Sequence, residues 1–469
     1  MKKSLLTLAC ALACVASALS LTGHAHAQSL KFLTQFNGAN GAAAGSLIQG
    51  PDGNFYGAAA GGSYAPSEIF RMTPAGEITP IYGFCLTDCA DGGDPAAPVL
   101  GSDGNLYGVT AYGGNATTQA GTFYRMTLDG AITTLHQFCP AWPCMDGAAP
   151  TGIVQASDGN FYGTTVAGGA HEQGTLFRIS PTGELKVVHA FCSSASCADG
   201  GGPTFPPIQG TDGNFYGATY SGGSEGGGVV YQMTPSGTFT VLHDFCGQND
   251  HGCETGSDPN TVVQDANGNL FGTTVYALSC IFEITPANQF IVLRNFEEPE
   301  GGDSSGLTLA SDGNIYGVTN GPGDTQVTGT IFSMTPGGDY KTLHVFLSGK
   351  AGYDVSSPLL QATDGSFYGT TSYGPGANLY GTVYRLSNGL GPFVTTVPVA
   401  GKAGKHILIL GNGLTGTTSV TFDGVPASFT VRSDTYIQAT VPAGAATGIV
   451  SVVTPSGTLN SNPQFVVTK

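Results

Sequence analysis

The chain has 469 residues, with 15 Lys and Arg against 32 Asp and Glu, for a net charge of −17. That balance excludes nucleic acid and anionic membrane surfaces as partners held by charge. Only 10% of residues are charged while 73 are Gly and 27 are Pro, a composition suited to short strands and turns rather than long helices.

Lys2 and Lys3 form a basic start, residues 5–22 are an apolar run, and Ala25-His26-Ala27 is a small-x-small cleavage site. Together they predict a secretory signal peptide over residues 1–27. Its removal takes Lys2 and Lys3 away and moves the net charge from −17 to −19. No second apolar span follows, so no transmembrane segment is expected in the mature chain, and the expected location is secreted, periplasmic or extracellular. LKFLTQF at residues 30–36 then reads as one strand standing ahead of any repeat.

From there one phrase returns seven times, an Asp-Gly-Asn turn running into an aromatic-Gly strand. It begins at Asp52, Asp103, Asp158, Asp212, Asn267, Asp312 and Asp364, in steps of 45 to 55 residues. A period of about 50 residues rich in strands signals a propeller. In the third copy, GIVQA, FYGTT, GTLFRIS and LKVVHAF read as four strands, and SDGN and SPTGE between them are hairpin turns. The seventh copy stops at Asn388-Gly389 without a fourth strand, and LKFLTQF resembles the missing one. The predicted fold is therefore all-β: a seven-bladed β-propeller over residues 28–389, closed by its N-terminal strand.

Nine cysteines lie beyond the leader, eight of them in close pairs at one repeat phase: Cys85/Cys89, Cys139/Cys144, Cys192/Cys197 and Cys246/Cys253. In an exported chain this spacing predicts four local disulfides, each closing a small loop. Cys280 stands where other copies have Thr and reads as a small buried residue. The aromatics at the phase of Tyr56, Tyr107 and Tyr162 are expected to pack blade on blade, with a ligand-binding ring as the other reading. His136, His189, His243 and His344 share a phase on different outer strands, too far apart to hold one metal.

The long connections gather at one end of such a propeller, opposite the tight turns. That end collects Asp91, Asp94, Asp146, Asp199, Asp258, Glu297, Glu298, Glu300, Asp303 and Asp354. Read functionally, Asp91, Asp146 and Asp199 belong to an acidic rim compatible with calcium; read structurally, Asp-Gly here is turn chemistry. Trp142, the one tryptophan, is held in CPAWPC and is a candidate anchor, with Tyr112, Tyr220 and Tyr373 beside Gly-rich loops. No catalytic residue and no cofactor or metal is assigned. The inner strands bring Gln49, Gln155, Gln209, Gln264 and Gln361 toward the channel but no carboxylate, and the DANGN run at Asp265 only faintly resembles a calcium loop.

Residues 390–469 lose the period and read as an Ig-like β-sandwich with strands HILIL, SVTF, SFTV, YIQATV, IVSVV and QFVV. The repeats, with SDGNFYGTT, GTLFRIS and the LHxF phase, resemble the GloVer tandem repeats of exported bacterial proteins. The tail, with GNGLTGTTSVTFDGVPASF and ATVPAGAATGIVSVVTPSG, resembles the IPT/TIG domain. The first resemblance implies export and supplies no catalytic residues; the second implies an interaction or spacer module. The expected function is non-catalytic recognition of a protein or polysaccharide at the envelope or outside the cell. A propeller hydrolase or lyase acting on carbohydrate or lactone is the alternative, and a structural surface component the third.

Overall fold

A computed structural model describes residues 28–61, 67–247, 255–276, 279–296, 302, 304–321, 327–348, 352, 354–355, 357–375 and 380–468. The leader, Cys253, Glu297, Glu298, Glu300 and Asp303 lie outside them. The described residues are all-β, with no helix.

The third repeat shows why the phrase folds as it does. Ala148–Gln155, Phe161–Ala167, Thr175–Ile179 and Leu185–Ala190 pair in that order, each antiparallel to the next. The turn between the first two is closed by Asp158, whose Oδ1 accepts the Asn160 amide at 2.9 Å. Its Oδ2 accepts the Asn160 side-chain amide at 2.8 Å and the Tyr162 hydroxyl at 3.2 Å. Gly159 takes φ +86° at the corner, where a side chain would be strained. The Tyr–Asp bond recurs at Tyr56, Tyr107, Tyr216, Tyr316 and Tyr368. The first two strands run longer than the sequence suggests and the last two slightly shorter; the first begins at Ala148 and passes an irregularity between Pro150 and Gly152.

Among the described residues the repeats form seven antiparallel sheets of four or five strands. The second and third strands are buried on both faces because neighbouring sheets cover them, which is why FYGTT and GTLFRI are near-continuous apolar and small runs. Two contacts join successive sheets. A glutamine ending the first strand accepts a backbone amide from the preceding repeat's turn: Ser102 to Gln155, Ser157 to Gln209, Thr211 to Gln264 and Ser311 to Gln361, at 2.7 to 2.9 Å. Tyr107 on Phe161, Tyr162 on Phe215 and Tyr316 on Phe367 pack ring to ring with centroids 4.0 to 4.4 Å apart. Both contacts recur between the last repeat and the first. The Thr363 amide donates to Gln49 at 3.0 Å, and Tyr368 meets Phe55 at 4.3 Å.

The strand ahead of the repeats, Ser29–Gln35, pairs antiparallel with Thr382–Ser387, placing Leu30 opposite Leu386 and Phe32 opposite Tyr384. The last repeat thus has its outer strand supplied from the N-terminal side.

The C-terminal unit packs one sheet (Thr395–Val397, His406–Leu410, Tyr436–Thr440, Phe429–Ser433) against another (Val425–Pro426, Ser419–Phe422, Val450–Thr454, Gly457–Asn460). In HILIL, Ile407 and Ile409 enter the sandwich core. Leu408 and Leu410 face the other way yet are equally buried, joining a cluster with Tyr56, Leu100, Leu106 and Tyr124 of the repeats. Thr435 donates to the Pro51 carbonyl at 2.7 Å and Asn412 to the Thr363 hydroxyl at 2.7 Å. The sandwich therefore sits on the tight-turn end and leaves the long loops at the opposite end uncovered by it.

Candidate functional site

At the loop end two kinds of connection interlock. One kind leaves an outer strand for the next repeat and carries the cysteine pairs. Cys85–Cys89, Cys139–Cys144 and Cys192–Cys197 are disulfide-bonded. Cys246 is also disulfide-bonded. The other kind joins second to third strand and carries a Gly-Gly pair in the first four repeats. In the second to fourth, the second glycine clasps the preceding cysteine loop: Gly114 N donates to Cys89 O, Gly169 N to Cys144 O and Gly223 N to Cys197 O, each at 2.8 Å. Gly113, Gly168 and Gly222 approach backbone so closely that a Cβ would collide with it. Thr118 also donates to Cys139 O at 2.7 Å, so the 139–144 loop is held from both sides.

Three of the acids expected at the rim are built into these loops. Asp146 Oδ2 pairs with His136 Nε2 at 3.0 Å while Oδ1 accepts the Cys139 amide at 2.9 Å. Asp199 repeats the arrangement with His189 at 2.9 Å and the Ser193 amide at 3.0 Å. Asp91 does so with the Tyr82 hydroxyl at 2.7 Å and the Cys85 amide at 3.2 Å. These bonds require the imidazole proton on Nε2, facing the carboxylate. Burial, with Asp91 alongside, pushes the Tyr82 hydroxyl up to about 12, so it stays a donor. Burial holds the His189 imidazole below its ordinary value although Asp199 pulls the other way. Each acid ties its loop to the outer strand, and its oxygens point inward. The missed signal was a correlated one: His136 and Asp146, like His189 and Asp199, lie ten residues apart at one repeat phase.

Large apolar and aromatic side chains are among those left outward. Trp142 is 73% exposed, Leu86 69% and Met145 57%, all on or beside the first two disulfide loops. Tyr112 lies between those loops in sequence, its ring against Gly93, where a Cβ would overlap it. The connection that Tyr112 opens bonds the Trp142 loop through Thr118 and Cys139 O, so Trp142 and Tyr112 belong to adjoining connections. Tyr220 stands with Tyr276, ring centroids 6.5 Å apart and edge to face. Tyr373 belongs to the last repeat, so the four aromatics singled out from sequence are spread around the end rather than gathered at a point.

Among the described residues no group of three or more His, Cys, Asp or Glu could hold a metal ion. The glutamines expected toward the channel reach sideways, into the inter-sheet bonds given above. Asp265 is buried, its oxygens accepting the backbone and side-chain amides of Asn267 and Asn269. Cys280 is buried where four other repeats have Thr122, Thr175, Thr330 and Thr382, its thiol raised to about 11 by burial, and bonds the Thr255 carbonyl at 3.3 Å. Two open pockets of about 290 and 310 Å³ lie at the turn end between sheets, the first lined by Asp212, Tyr216 and Gln264 together with Leu242 and Leu270, the second by Asp103, Tyr107 and Gln155.

A family model described as the Gloeobacter/Verrucomicrobia repeat matches residues 21–200 and 275–419, and an IPT/TIG domain model matches residues 392–467. No curated protein matches the sequence. Among solved structures, the chain resembles one described as the extracellular domain of a hybrid two-component system of B. thetaiotaomicron, with TM-score 0.50 and 12% identity. It also resembles PorZ, a surface component of the type-IX secretion system of Porphyromonas gingivalis, with TM-score 0.50 and 15% identity. These matches cover 92% and 94% of this chain but only 57% and 61% of those chains. At such identities the likeness is one of fold.

Proposed function

Because this chain belongs to the Gloeobacter/Verrucomicrobia repeat family and ends in an IPT/TIG domain, we propose that it is a non-catalytic recognition protein acting at the cell envelope or outside the cell. In this reading a leader over residues 1–27 is removed, residues 28–389 form a closed seven-bladed propeller, and residues 390–469 form an Ig-like domain on its turn end. The recurrence of the Gln bond and the Tyr–Phe packing between last and first repeats supports closure. Disulfides support an oxidising compartment.

The observation that carries the proposal is the loop end itself. Its connections are cross-bridged by disulfides, Asp carboxylates and Gly amides, yet they present Trp142, Leu86, Met145 and Tyr112 to solvent. Rigid loops displaying large apolar side chains lose little conformational entropy when a protein or polysaccharide covers them. A buried Trp anchor contributes about 2 kcal/mol or more to binding, roughly thirtyfold in affinity. Trp142→Ala should therefore cut retention on immobilised envelope protein and polysaccharide fractions by that order while leaving the melting temperature in place. Retention equal to that of the parent chain sinks the proposal.

A further inference from the structure

Charge is divided along the repeat axis. The loop segments 84–92, 111–121, 138–148, 166–174, 191–202 and 219–227 contain no Lys or Arg. Apart from Lys350, in the connection after the sixth repeat's outer strand, the repeats' cations lie on third and outer strands, among them Arg71, Arg125, Arg178, Lys186 and Arg385. Arg385 is committed to the turn, 3.0 Å from Asp364. With Asp91, Asp146 and Asp199 turned inward, the carboxylates exposed at the loop end include Asp88, Asp94, Glu172 and Glu225.

Three of these lie on the connections that carry the exposed apolar side chains or on ones that clasp them. Asp88 is on the disulfide loop of Leu86, and Asp94 follows that loop. Glu172 is on the Gly-Gly loop that clasps the Trp142 loop through Gly169 and Cys144. Open Trp and Tyr rings on loops that carry carboxylates and no Lys or Arg form a surface that attracts cations twice over. The ring faces draw a guanidinium or ammonium group through their quadrupole, and the carboxylates add direct Coulomb attraction. The fold already contains such a contact: the Arg294 guanidinium lies 4.1 Å from the centre of the Tyr340 ring.

We propose that the partner of the loop end is a basic polypeptide segment, an extended stretch rich in Arg and Lys, seated across Trp142 and Tyr112 between Asp88, Asp94 and Glu172. This inference rests on the recognition reading above and narrows it. Anionic polymers are repelled by this face. A neutral sugar would use the rings but gain nothing from a field of one sign. The segment's aliphatic stems also suit Leu86 and Met145, as long cationic side chains cover apolar surface while their charge stays in water.

Trp142 is the only tryptophan, so its fluorescence reports this sector and no other. A synthetic peptide of alternating Gly and Arg, titrated into the mature chain, should change that fluorescence saturably. The dissociation constant should rise about tenfold between low salt and physiological salt or above, as screening shortens the reach of the carboxylates. Asp88→Asn with Glu172→Gln should weaken the peptide by roughly fivefold to tenfold. Glu77→Gln with Glu184→Gln, which removes the same charge at the opposite end, should change it by less than about twofold. Equal losses from the two pairs, indifference to salt, or no fluorescence response overturns the inference. A neutral oligosaccharide series that shifts Trp142 fluorescence while the peptide does not would overturn it and leave the recognition reading standing. Silence toward both probes, together with unchanged retention of Trp142→Ala, removes both.

Discussion

His243 lies flat on Phe290, ring centroids 3.7 Å apart and planes within 8°. Burial lowers its imidazole to about 4, and Asp244 opposes the shift only weakly. A histidine held below its ordinary value of about 6.5 disfavours the charged form in the folded chain. The stability it contributes is present above pH 6.5 and is lost as pH falls from there toward 4. Allowing for partial solvent access, the loss is on the order of 2 kcal/mol. Denaturant midpoints at pH 7 and near pH 4 should therefore drop less for His243→Phe than for the parent chain; equal drops would show that another group carries the acid sensitivity. The Tyr–Asp turn bonds are equally local and were legible in outline, since Asp and Tyr keep a fixed spacing within one phrase. The His–Asp braces were not, because each spans a loop and depends on how that loop folds back over its strand.

The joint between sheets is the element on which the architecture turns. Each clamping glutamine accepts a backbone amide from the neighbouring repeat, and Gln155, Gln209 and Gln264 also donate to a glycine carbonyl in their own turn, at 3.2 to 3.3 Å. Leaving that amide unpaired costs about 1 to 3 kcal/mol. Gln209→Ala should be destabilising by about that much in equilibrium unfolding. Gln49→Ala makes the same change at the seam between first and last repeats, so it should cost a similar amount. A near-zero cost at Gln49 alone would mean that the seam is open in solution. The sequence placed these glutamines at one phase on the first strand, but alternation alone left them facing the channel. Strand twist and the neighbouring turn, which no single repeat contains, direct them sideways.

At the scale of the molecule, the C-terminal sandwich is more than a spacer. An Ig-like sheet normally leaves its outer face to water, yet Leu408 and Leu410 are 2% and 3% exposed because the repeats cover them. Burying a leucine contributes about 1.5 to 3 kcal/mol. The two units are therefore expected to unfold together, and calorimetry of Leu408→Asn with Leu410→Asn should split the single transition into two, the repeats melting earlier. A single unshifted transition would show that the contact contributes nothing. The docking also fixes polarity. With the sandwich on the tight turns, recognition is left to the loops at the far end.

What the sequence determined alone was carried by short-range pattern: strands, turns, the sevenfold period of the phrase, and three of the four expected cysteine pairs. Those features need only hairpin geometry and a hydrophobic alternation that one repeat contains in full. What tertiary structure decided was which polar groups face inward and which face out. Asp146 and Trp142 sit in and beside the same small disulfide loop, yet one is absorbed into bracing and the other is left in water. That outcome depends on the strand beneath and the Gly-Gly loop alongside, contacts between residues distant in sequence that no local pattern encodes.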